Sequence, residues 1–109
     1  MSTLLKFTAP LVKLLILNLL SQKSSYGYEI TTFLRDVYPL NESSIYTALK
    51  QLTEQQELIY SIQIVGGRLR KYYTITPAGK ITLEEMNPQC QKQFSSILAL
   101  INTDSQIPL

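Results

Sequence analysis

Histidine and tryptophan are absent from this 109-residue chain, and cysteine occurs once, at Cys90. One thiol cannot build a disulfide framework, the usual Cys/His zinc spacings have nothing to fill them, and a nucleophile triad has no imidazole base. The eight acidic residues are scattered in no arrangement that proposes acid–base catalysis, and the four glycines include no phosphate-cradling loop after a strand. These absences describe a binding protein rather than an enzyme, with no cofactor and no metal expected.

Long hydrophobic runs are scarce as well. The strongest, LVKLLILNLL at residues 11–20, is interrupted by Lys13 and Asn18. No small-x-small cleavage site follows it, and it is too short to span a bilayer. A membrane-associated, peptide-like protein would rest on this run alone. The expectation is instead a buried amphipathic helix in a cytoplasmic protein, with Thr8 at the N-cap and Pro10 in the first turn. Lys13 would lie beside the apolar stripe and snorkel.

What the chain does have is an ordinary globular balance, 45% hydrophobic and 17% charged, at a length that suits one small domain with its own core. A net charge of +2 permits a polyanionic partner without demanding one. Its distribution is more telling. No acid precedes Glu29, and none lies between Glu57 and Glu84, where Arg68, Arg70, Lys71 and Lys80 sit.

A polar break, SQKSSYGYEI, leads into a second helix, with Ser24 and Ser25 as caps and Glu29 near the positive end of its dipole. Tyr26, Ile30, Phe33, Leu34 and Val37 recur at helical spacing and predict its inward face, and Pro39 ends it. The third helix, NESSIYTALKQLTEQQE, opens on the cap candidates Asn41, Ser43 and Ser44. Ile45, Ala48, Leu49 and Leu52 form its inward stripe, which leaves Ser44, Tyr46, Thr47, Lys50 and Gln51 outside. Short hydroxyls, a phenol, an amide and a cation can all reach phosphates or base edges, although a solvated helix face would look the same.

Two β-branched runs follow, IYSIQIV and RLRKYYTIT, separated by Gly66 and Gly67. The glycine pair predicts a two-residue hairpin turn that needs positive φ, setting Val65 opposite Arg68, Gln63 opposite Arg70 and Ser61 opposite Tyr72. Alternation then puts Arg68 and Arg70 on one face with Gln63 and Ser61. Ile62, Ile64, Leu69, Tyr73 and Ile75 share the other with Lys71. Cations guarding an exposed hairpin edge would explain the same residues. A basic hairpin directly after a helix with a polar outer face favours a wing after a recognition helix.

In this order LVKLLILNLL, GYEI, SSIYTALKQL, LI and GGRLRKYYTITPAG resemble the PadR family of bacterial transcriptional regulators, over roughly residues 4–80. The resemblance implies a mainly α fold with a small β-hairpin (α+β), a winged helix-turn-helix in the order α-α-α-β-β-α. It divides the chain into a DNA-binding domain at 1–76, a C-terminal dimerisation helix at 77–102 and a flexible tail at 103–109. Carried over by position, residues 43–51 are the part of the recognition helix presented to the major groove. Ser43, Ser44, Tyr46, Thr47, Lys50 and Gln51 are its DNA-binding candidates. Arg68, Arg70 and Lys71 are the wing's, braced by Tyr72 and Tyr73. The partners implied are double-stranded DNA and a second copy of the chain, and the usual role is repression. A winged-helix protein–protein module is the rival reading, kept open by the modest net charge; the three wing cations argue against it.

Two departures stand out. The family commonly closes its recognition helix with Gly before an LI pair, whereas this chain reads TEQQELI, so Gln56 or Glu57 must manage that turn. In the tail, Thr76 caps and Pro77 starts a helix whose Leu83, Met86, Cys90, Phe94, Ile97 and Ile101 recur as a dimerisation seam. Pro88 sits within the seam and predicts a kink, or a break with Asn87 capping a new helix, rather than a straight rod. Short family members resembling this one can bind flat aromatic drugs between subunits by stacking on a tryptophan of this helix. The matching place here is about Cys90, which has no indole face and reads as a small buried hydrophobe. That leaves any small-molecule effector unidentified.

Overall fold

The computed structural model describes residues 8–102; the expected tail at 103–109 lies outside them. Helix α1 spans Ala9–Gln22, strand β1 Ser25–Tyr26, helix α2 Gly27–Val37, helix α3 Glu42–Glu54, strands β2 and β3 Leu58–Val65 and Arg68–Ile75, and helix α4 Pro77–Ile101. The architecture is the expected α+β winged helix, with one element more than the sequence predicts. β1 joins the hairpin in a three-stranded antiparallel sheet of order β1-β3-β2.

Helices α1, α2 and α3, the start of α4 and the inner end of the sheet enclose one core. Val12, Leu14, Ile16, Leu17 and Leu20 of α1 meet Ile45, Ala48, Leu49 and Leu52 of α3, so the predicted α3 stripe is the buried one and α1 is the buried helix expected. Asn18 reaches Asn87 of α4 through a reciprocal pair of amide hydrogen bonds, each 2.9 Å, which satisfies it in a half-buried position. Among the described residues no helix is long and apolar enough to cross a membrane.

Helix α2 departs from expectation. Its buried residues are Ile30, Thr31 and Leu34, while Phe33 and Val37 face outward, more than half exposed. Ile30 and Leu34 are the residues that meet the core, which turns Phe33 and Val37 to the outside. At the start of the helix Gly27 lies against Tyr46 and Tyr73, where a Cβ would sit at ordinary contact distance from both rings. Thr31 tolerates burial because its hydroxyl donates to the Gly27 carbonyl, 3.0 Å away. Ser24 and Ser25 do not cap α2. Ser25 pairs with Tyr73 in the sheet and the Ser24 hydroxyl bonds that of Thr74, while Glu29 caps the helix by accepting from the Tyr26 N–H at 2.9 Å.

The recognition helix ends on Gln56, whose φ of 61° is the left-handed conformation usually left to glycine. Thr76 holds this cap. Its hydroxyl donates to the Gln56 carbonyl (2.7 Å) and accepts from the Gly79 N–H (3.1 Å), joining the end of α3 to the start of α4. The fit is close, since a Cβ on Gly79 would run into the Glu57 carbonyl.

Helix α4 then continues through Pro88 to Ile101 without the predicted break, and Asn87 spends its side chain on Asn18 instead of on a cap. Pro88 has no N–H to give the Glu84 carbonyl, but both residues are exposed, where solvent can serve that group.

Candidate nucleic-acid interface

Helix α3 is secured at its start by Asn41, whose side-chain oxygen accepts from the Ser43 N–H at 2.9 Å and from the Ser43 hydroxyl at 2.8 Å. Of the six predicted recognition-helix residues, Ser43 therefore has its hydroxyl proton engaged, and Ser44, Tyr46, Thr47 and Lys50 stand exposed. Gln51 is half-buried. Ser43, Thr47 and Gln51 edge a depression of about 210 Å³ beside Ala9 and Val12 of α1. Tyr46 lies on the other flank, toward the wing.

The hairpin register is the predicted one, with Val65 opposite Arg68, Gln63 opposite Arg70 and Ser61 opposite Tyr72. Gly66 and Gly67 take φ of 58° and 78°, the two positive values a tight primed turn requires. The three wing cations are not equivalent. The Arg70 guanidinium lies 4.9 Å above the Tyr28 ring of α2, with its Nε buried and unpaired. The Lys71 ammonium lies 4.6 Å above the Tyr60 ring of the neighbouring strand. Cation–π contacts of this kind order long side chains without neutralising them. Arg68, beside the turn, is exposed.

Tyrosines brace the wing on both sides. Tyr72 packs on Tyr26 with centroids 4.8 Å apart, and the Tyr26 hydroxyl donates to Gln63 Oε1 at 2.6 Å. Tyr73 is buried against Tyr60, centroids 5.8 Å apart. Burial first, then the Tyr60 and Tyr46 phenols, pushes the Tyr73 hydroxyl above its ordinary value of 10.0. Sequence reasoning missed Tyr28 and Tyr60 and put Tyr26 on the inward face of α2, whereas it lies in β1 against Tyr72; the available signal was that seven tyrosines occur in a chain with three phenylalanines.

The hairpin's apolar face is only partly buried. Tyr73 and Ile75 enter the core, but Ile62, Ile64 and Leu69 on the same face stay more than half exposed, with no helix over the outer half of the wing among the described residues. A cleft of about 290 Å³ joins Tyr46 of the recognition helix to Leu69, Arg70 and Lys71 of the wing, across Gly27 and Tyr28. Helix, α2 start and wing thus form one continuous surface carrying cations and hydroxyls.

Residues 16–85 match the Transcriptional regulator PadR-like family. The chain belongs to that family. Its members are transcriptional regulators and not enzymes, and this PadR-like chain is a DNA-binding regulator of the same kind. It is 33% identical over 79 residues to the Negative transcriptional regulator PadR of Bacillus subtilis, an alignment that spans 68% of this chain and 43% of that protein. A crystal structure from Streptococcus mutans superposes with a TM-score of 0.81 at 28% identity, covering 96% of this chain and 97% of that one. A PadR-like transcriptional regulator from Bacillus cereus superposes with a TM-score of 0.74 at 28% identity, over 87% and 95% of the two chains.

The six seam residues of α4 divide into two groups. Leu83 is buried in the protomer's own core and Cys90 packs against it, so the helix spends these two internally. Met86, Phe94, Ile97 and Ile101 are exposed, and every residue from 91 to 101 lies open.

Proposed function

We propose that this PadR-like protein is a repressor that binds a pseudo-palindromic operator as a homodimer. The observation that carries the reading is the continuous surface of α3, the start of α2 and the wing, with Tyr46, Arg70 and Lys71 on it, Lys50 exposed further along α3, and no acid between Glu57 and Glu84. Ser44, Tyr46, Thr47 and Gln51 face base edges, with Ser43 supporting the helix start. Lys50, Arg68, Arg70 and Lys71 displace counterions along the backbone. Two copies related by a two-fold axis set their recognition helices in successive major grooves, about one helical turn apart.

Support for the dimer comes from α4. An apolar stripe of Met86, Phe94, Ile97 and Ile101 left in water is unfavourable, and pairing it with a second copy removes it from solvent. The reading is tested by titrating the full chain with the DNA upstream of its own coding region at two salt concentrations, against excess competitor DNA. Tight, salt-sensitive and competitor-resistant binding is expected. Lys50→Ala should lower the slope of log K against log salt by about one. No binding even at low salt would transfer the case to a protein partner.

A further inference from the structure

We propose that the wing meets the duplex with its apolar face, Ile64 and Leu69 packing on the sugar walls of the minor groove and Arg68 and Lys71 taking the phosphates on either side. This rests on the DNA-binding reading above and assigns the groove contact to residues that carry no charge.

Ile64 and Leu69 are direct cross-strand partners, 75% and 72% exposed, with Ile62 behind them at 54%. Three large aliphatic side chains in water at the end of a rigid hairpin need a reason. Their orientation supplies one. They share a face with Tyr73 and Ile75, the face turned toward the helices, and Leu69 and Lys71 line the same cleft as Tyr46. A duplex seated on α3 therefore approaches this side of the hairpin. The opposite side is engaged internally, with Gln63 bonded to Tyr26 and Tyr72 packed on the same ring.

Shape and charge select DNA as the occupant. The tip is two glycines with open space around them, so the hairpin ends in bare backbone, thin enough for a groove about 6 Å wide. Leucine and isoleucine side chains enter the minor groove in other protein–DNA contacts, and the deoxyribose walls of that groove are its least polar surface. Arg68 adjoins the tip and Lys71 is held over Tyr60, while the wing itself has no acid. This rim attracts phosphates and would repel the like-charged rim of a second copy.

The test is fluorescence anisotropy of the full chain on a labelled mixed-sequence duplex, across a salt series, with wild type, Ile64→Thr, Leu69→Ser and Lys71→Ala. Ile64→Thr keeps the branched Cβ that the strand favours, and thermal melts check folding. Each apolar variant should lose about fivefold in affinity with an unchanged salt slope, because uncharged contacts release no counterions. Lys71→Ala should lower the slope instead. Filling the minor groove with netropsin should bring wild type down to the level of Ile64→Thr and leave that variant unmoved. Wild-type binding matched by both apolar variants would overturn the proposal while leaving the DNA reading intact. Failure of wild type to bind any duplex would overturn both. A fall in the mass of the wild-type assembly on introducing Leu69→Ser would make this face a contact between copies and overturn the proposal.

Discussion

Gln56 shows how a single backbone angle departs from the family's pattern. A non-glycine residue in the left-handed region costs on the order of 1 kcal/mol, tolerated here because Thr76 bonds its carbonyl. Gln56→Gly relieves that cost but loosens the unfolded chain, so a net gain of roughly 0.5 kcal/mol is expected, visible as a higher urea midpoint at unchanged m. Tyr73 makes a second residue-scale prediction. Its hydroxyl titrates higher in the folded state than in the unfolded one, so the native form holds the proton longer. The associated stability is fully present below 10.0 and is lost as pH rises from there through the raised folded value. Tyr73→Phe should show a shallower loss of stability above that pH than wild type, read from denaturation midpoints on either side of it. Equal slopes would assign the alkaline loss to the other tyrosines.

Among the elements, those with local signals were legible. The glycine pair determines the hairpin register because a two-residue turn leaves no freedom in the pairing, and every predicted opposite pair is observed. The α3 stripe is equally plain, its four apolar positions all buried. Helix α2 misled because Phe33 and Val37 have the right spacing. Its rotation is decided by Ile30 and Leu34 entering a core made by side chains distant in sequence. A two-residue strand such as β1 has no period to read at all. At Pro88 the chain stays helical, so the break with Asn87 capping a new helix does not form: Asn87 is bonded to Asn18 instead, and Leu83 and Cys90 pack on the core to either side.

For the whole molecule, the extents of 59 × 37 × 20 Å reflect α4, whose 25 residues give it a length of roughly 37 Å. Its start is fixed to the recognition helix through Thr76 and Gly79, and its outer half, residues 91–101, is exposed among the described residues. In the proposed dimer, the spacing of the two recognition helices is set by how this outer half pairs. Phe94→Ala should shift the assembly toward monomer in sedimentation at low concentration and weaken operator binding, with the protomer's own melting little changed, since Phe94 lies outside its core. A mass equal to wild type would place the pairing surface elsewhere.

The sequence by itself determined the class of protein, the inward stripe of α3, the hairpin register and the departure from the family's glycine cap, left to Gln56 or Glu57. These depend on residues near one another along the chain, through periodicity, turn geometry and cap chemistry. Only the tertiary structure decided that Arg70 and Lys71 lie on tyrosine rings, that half of the wing's apolar face stays in water, that Leu83 belongs to the core and that α4 runs on past its proline. Each of these follows from which surfaces meet when distant segments pack, and burial is a property of that meeting.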